Sequence, residues 1–266
     1  MATQSIDRGP ERRSRPRVRA SYYFWVSILL LALVSIGFAP TLYLRAFFPQ
    51  AEPAMPLYLY LHGAVLTAWY VWLASQTWLV RSGSTALHRR LGWMGAAIAA
   101  GVCVAGPMAT VGVIDRLKAQ GVGFDTDMSV LPFLGVEGVT MMEFAGPIVW
   151  GNLMSVAVFA VLVAAAVALR RRAEYHKRLM LVASIGLIPP ALARISRWPV
   201  FGGEDSLLLP LAGLALLLSV AGYDLVKRRR LHPATMAGTM LVLAAALGSN
   251  IVAATDFGQA FVRSLG

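Results

Sequence analysis

The chain reads as an all-α protein, a polytopic membrane helix bundle of seven transmembrane helices with its N-terminus in the cytoplasm and its C-terminus outside. Three observations predict this. Of 266 residues, 58% are hydrophobic and only 14% charged, with a mean hydropathy of +0.64, a balance foreign to soluble domains of this length. The apolar residues fall in blocks of about 20, the helix length that a hydrocarbon core about 30 Å thick requires. Lys and Arg gather in the short connections between blocks rather than along one helix face, so the net charge of +11 is a topology signal and implies no nucleic-acid partner.

The first element is a basic tail in which Arg8, Arg12, Arg13, Arg15, Arg17 and Arg19 precede an apolar run from Tyr22. It has the look of a signal peptide's charged start, but the run continues to Leu44, long enough to span, and the small-residue site Gly37-Phe38-Ala39 is followed by Pro40, poorly placed for a peptidase. Residues 1–20 are therefore expected to remain as a disordered cytoplasmic tail, with 21–266 forming the transmembrane domain. The expected spans are 22–44, 57–80, 94–114, 147–169, 179–198, 207–226 and 233–255. Alternating the connections puts 18 of the 24 Lys and Arg on one side: those of the tail and of loops 81–93, 170–178 and 227–232. Positive connections stay cytoplasmic, which fixes the orientation and favours an odd number of spans.

Segment 115–146 is the irregular stretch. It opens polar, turns apolar over 128–136, and holds Pro132, Gly135, Glu137, Gly138, Glu143 and Gly146. Bare backbone cannot face lipid, so the segment is expected as an external loop with an interfacial or re-entrant piece packed on the bundle. Along the third span, Ala97, Gly101, Ala105 and Ala109 recur every four residues, a small-residue stripe that predicts a central, closely packed helix.

Ionisable groups inside a bilayer are costly, so each is a candidate site. Counting along the helices puts His62 and Arg194 at a similar depth, about 8 Å below the outer surface at 1.5 Å per residue. Asn250 matches that level, Glu143 can reach it from above, and Pro189-Pro190 beneath Arg194 frees backbone carbonyls and supplies a hinge. One reading is an outward-facing pocket, lined by His62, Glu143, Arg194 and Asn250, that binds or transports a small anionic or carbonyl-bearing ligand. The other is a satisfied bundle histidine beside an arginine that snorkels to the interface. On the inner side, His88, Arg89, Arg90, His176, Lys177, Arg178 and His232 gather at the starts of the third, fifth and seventh spans, where helix N-termini and arginines favour a phosphate or an anionic lipid head group. Ordinary positive-inside loops would look the same. No pair of histidines has the short single-helix spacing that makes metal ligation specific, and no metal is expected. No Walker loop, dinucleotide fingerprint, paired-His zinc motif or nucleophile elbow is present.

Leu61-His62-Gly63, Leu87-His88-Arg89-Arg90-Leu91-Gly92, and His176-Lys177-Arg178-Leu179-Met180 followed by Pro190-Ala191 and Arg194 carry a resemblance. Over about residues 57–233 the chain resembles a broad group of bacterial multi-spanning integral membrane proteins, a likeness that implies a family without a mechanism. The His-Arg loops also resemble, distantly, those of cytochrome b561-like proteins, which would imply haem between paired histidines. Haem or quinone therefore stands as the alternative cofactor class, and a structural or assembly subunit of a membrane complex as a third.

Overall fold

The computed structural model describes residues 22–47, 55–131, 134, 136–201 and 207–266, so the expected tail at 1–20 and parts of segment 115–146 lie outside the described residues. Nine α-helices follow one another among them, and the only β-pairing there is an isolated bridge between Asp127 and Thr140. α1 (Tyr22–Phe38) is apolar throughout and loosens into a π-turn at Ala39–Tyr43, where Pro40 brings no N–H to the ladder. α2 (Leu57–Arg81) starts after the extended Pro56 and stops at Gly83, whose φ of +85° permits the reversal into α3. α3 (Thr85–Lys118) has 34 residues, about 51 Å at 1.5 Å per residue, and so outruns any hydrocarbon core.

α4 (Met141–Ala168) begins six residues earlier than the hydropathy suggested. Thr140 and Glu143 form a reciprocal capping box there, and Pro147 is absorbed within the helix. The expected fifth span is two helices, α5 (Ala173–Gly186) and α6 (Pro189–Ser196), bent by 40°. The proline pair opens α6, a position where its missing N–H groups are tolerated, so it breaks the span rather than kinking it. α7 (Leu208–Arg228) ends on Arg229 at φ 57°, α8 (Pro233–Ala253) is capped by His232, and α9 (Asp256–Arg263) is a short amphipathic helix capped by Thr255. Six helices are long and apolar enough to cross a membrane, and seven spans result if α5 and α6 count as one.

Burial runs opposite to that of a soluble protein. On α8, Met236, Met240, Leu247 and Ile251 form an exposed apolar stripe, with Met240 66% and Leu247 69% accessible. Meanwhile Ser27, Arg178, Ser184 and Asp224 lie inside, each at 1% or less. Water would penalise so much contiguous apolar surface, whereas lipid accepts it, a pattern compatible with a multi-pass membrane protein.

Two cores organise the bundle. The larger joins Leu30 of α1, Trp69 and Tyr70 of α2, Phe159 of α4, Leu181 of α5, Ile188 and Leu192. The smaller lies at the opposite end from the 82–84, 169–172 and 229–232 turns, where Met128 and Leu131 of the 119–140 segment meet Ile114, Met141, Val149 and Val262 of α9. That segment and α9 form a cap. α3 packs between α2 and α4, with close approaches at Gly95 against Trp72, Gly101 against Val65, Gly106 against Val156 and Gly112 against Tyr58; of the expected stripe, Gly101 and the buried Ala109 take part in the packing, while Ala97 is exposed.

Candidate functional site

Two polar regions lie at opposite ends of the bundle. At the basic end, Glu174 and Arg178 sit one turn apart at the start of α5, a spacing that stacks them on one face. Arg178 Nη1 donates to Glu174 Oε2 at 2.6 Å, and its Nε donates to Asp224 Oδ1 of α7 at 2.9 Å, joined by Nη2 on the same oxygen. The other carboxylate oxygen of Asp224 accepts from the His232 main-chain N–H at 3.1 Å and from Thr235 Oγ1 at 2.5 Å. Asp224 is thus fully used, four donors to two oxygens, and it ties α5, α7 and α8 together. Glu174 also accepts from Lys177 at 2.6 Å and Arg228 at 3.2 Å.

Of the inner residues singled out in the sequence, Arg178 is buried inside this knot, Lys177 is held by Glu174, and His232 caps α8 by accepting the Ala234 N–H on Nδ1 at 3.1 Å. Burial first, then the charges of Arg178 and Arg228, hold the His232 pKa below the usual histidine value. Arg89 and Arg90 are exposed. His88 and His176 come together from α3 and α5, ring centres 6.3 Å apart. At the mouth of the same end, Lys177 lies over the Tyr23 ring at 5.0 Å and Tyr22 stacks on Tyr223 at 4.5 Å.

At the capped end, His62 of α2 hydrogen-bonds through Nδ1 to the Ala105 carbonyl of α3 at 3.1 Å. A carbonyl only accepts, so Nδ1 carries the proton and Nε2 keeps the lone pair. The charges of Arg194 and Arg116 both reach this ring. Arg194 lies over the Phe38 ring of α1 at 4.3 Å and donates to the Pro190 carbonyl at 3.1 Å, which fixes its stem along α6. Arg116 donates to Tyr58 Oη at 2.7 Å. The other two residues of the expected outer pocket sit apart from this group: Glu143 is exposed and closes the α4 capping box, while Asn250 is exposed and donates to the Ala246 carbonyl of its own helix at 2.8 Å. Below the cap, a shallow groove of about 490 Å³ runs along α3 between Tyr58, Met108 and Asp115.

Sequence reasoning missed the joining role of Asp224, the part of Glu174, and the approach of Arg116 to His62. The Glu174–Arg178 spacing was a legible signal. The partnership of residues 46 positions apart, Arg178 and Asp224, carried none. Among the described residues no group of three or more His, Cys, Asp or Glu converges on a metal position. No family model, curated protein or solved structure matches the chain, so function has to be argued from the site.

Proposed function

We propose that this is a seven-span protein of the bacterial cytoplasmic membrane, N-terminus in and C-terminus out, that binds or transports a small anionic or carbonyl-bearing ligand from the outer side. The ligand contacts are His62 and Arg194, with Arg116 adding positive field from α3. Orientation is supported by the 18 of 24 basic residues on one side. Seven spans follow from treating α5 and α6 as one broken span, a form common where membrane proteins bind ligands at mid-depth.

The observation that carries the ligand class is an imidazole whose Nδ1–H is taken by the Ala105 carbonyl, leaving Nε2 open, within the field of the Arg194 and Arg116 guanidinium charges. In a low-dielectric setting such a group favours an anion and offers one lone pair to a ligand hydroxyl or amide. Exposed arginines at the other end match anionic lipid head groups of the inner leaflet.

The test is thermal unfolding of the full chain in detergent against a panel of acetate, lactate, citrate and phosphate. At least one anion is expected to raise Tm in the wild type and in Glu143→Gln but not in Arg194→Ala. An equal rise in Arg194→Ala would remove this pocket.

A further inference from the structure

We propose that His88 and His176 form a two-imidazole site for a late transition metal ion, copper or zinc, at the basic end of the bundle. The rings come from different helices, α3 and α5, with centres 6.3 Å apart and planes at 75°. An ion about 2.0–2.1 Å from one nitrogen of each ring separates the ring centres by roughly 5–6.5 Å, depending on the angle at the metal. The observed 6.3 Å lies at the wide end of that interval, so a near-linear copper(I) fits the rings as they stand, and a tetrahedral zinc would draw the ring centres together by about 1 Å.

The protons are also arranged for ligation. His176 Nδ1 hydrogen-bonds to the Ala166 carbonyl of α4 at 2.9 Å, so it carries the proton and leaves the lone pair on Nε2. A ring that donates its far N–H to a main-chain carbonyl is the usual outer-shell support of a metal-bound histidine. Two further groups call for something to bind. His88 Nδ1 is buried with no hydrogen-bond partner, and the amide of Gln76, a residue only 4% exposed, has both its nitrogen and its oxygen buried without one. Gln76 lies on the last turns of α2, and its main-chain carbonyl adjoins the His88 ring. Unpartnered buried polar atoms of this kind point to a bound water or ion.

Two imidazoles suit copper or zinc and are poor ligands for calcium or magnesium, which take oxygen sets. Arg89 and Arg90 stand nearby, but both are exposed and their charges are screened by water and salt.

The experiment loads the full-length protein in detergent with Zn²⁺, or with Cu⁺ under ascorbate, removes loose metal on a desalting column, and counts metal per chain by mass spectrometry. About one ion per chain is expected in the wild type and in Arg194→Ala, falling at least tenfold in His88→Asn, His176→Asn and the double variant. Equal retention by the double variant overturns the proposal, as does no retention by the wild type. If those variants fail to fold, Cu²⁺ on the wild type decides by paramagnetic resonance. Hyperfine coupling to two imidazole nitrogens is expected, and an oxygen-only spectrum overturns the site. A Soret band from the protein as purified would also overturn it, because the pair would then hold haem.

Discussion

The two ends of this bundle satisfy their polar groups in different ways. At the basic end, Asp224, Arg178 and Glu174 share donors and acceptors across α5, α7 and α8, so no member can leave without stranding another. At the capped end, Glu143 bonds within its own helix cap and Asn250 within its own helix, the bonds between helices are single ones such as His62 to the Ala105 carbonyl and Arg116 to Tyr58, and Met128 and Leu131 share an apolar cluster with Val262 of α9. A shared network resists rearrangement, whereas locally bonded groups exchange partners one at a time. The clasped end therefore anchors the helices and the capped end is the one able to accept a ligand.

The sharpest way to break this contrast is to remove one member of the knot. Asp224→Ala leaves the buried Arg178 guanidinium with only the partly exposed Glu174 as its counter-ion and strands its Nε–H; it is expected to cost about 3–5 kcal/mol, read as a large fall in Tm or loss of the folded protein. The paired replacement Arg178→Met with Asp224→Leu should cost much less. If the single and paired variants unfold alike, the network account is wrong.

At the capped end the largest effect should come from packing rather than charge. A Cβ on Gly258 would lie 1.8 Å from the Val252 carbonyl oxygen, so Gly258→Ala is expected to loosen α9 at a cost of roughly 1–3 kcal/mol. Protease sensitivity of the cap would reveal it.

His232 gives the basic end a pH dependence. Its ring caps α8 only while Nδ1 is unprotonated, and burial with the Arg178 and Arg228 charges holds its folded pKa below the usual histidine value of about 6.5. The unfolded chain then binds more protons in the interval between the two values. Stability is full above about pH 6.5 and falls as pH drops towards the folded pKa. His232→Asn keeps a capping side chain and should flatten Tm between pH 8 and pH 5; an unchanged slope would assign the effect elsewhere.

Smaller effects separate caps from surface ion pairs. Thr140→Ala removes the capping box of α4 and should cost about 1 kcal/mol. Arg263→Ala breaks the exposed 2.8 Å pair with Asp125 and should cost under about 0.5 kcal/mol. Denaturant titrations of the two variants in the same detergent give the order.

The spans were legible because hydropathy over 20 residues is a sum that few local details can reverse. Their ends were less so. The start of α4 was written in Thr140-x-x-Glu143, a signal that Pro147 obscured, and α9 was hidden because eight amphipathic residues after the last apolar block look like a tail. Pro189-Pro190 announced a disturbance in the fifth span, but whether prolines kink a helix or begin a new one depends on what packs there, and Gly37 lies so close to Ala191 that a Cβ would meet its carbonyl at 2.6 Å. The expectation of one depth for His62 and Arg194 rested on helix rise alone, which takes no account of the 40° bend before α6. That Arg178 would turn to Asp224, 46 positions away, depends on side-chain choices that no spacing reveals.

The account depends on lipid being the solvent of the exposed apolar faces, with the arginine-rich turns held inside. In a Cys103→Ser background, Ser82→Cys at the basic end and Asp125→Cys at the capped end can be challenged in intact cells with a membrane-impermeant maleimide. The account predicts labelling at 125 without treatment and at 82 only after permeabilisation. Labelling at 82 in intact cells, with 125 protected, would contradict it.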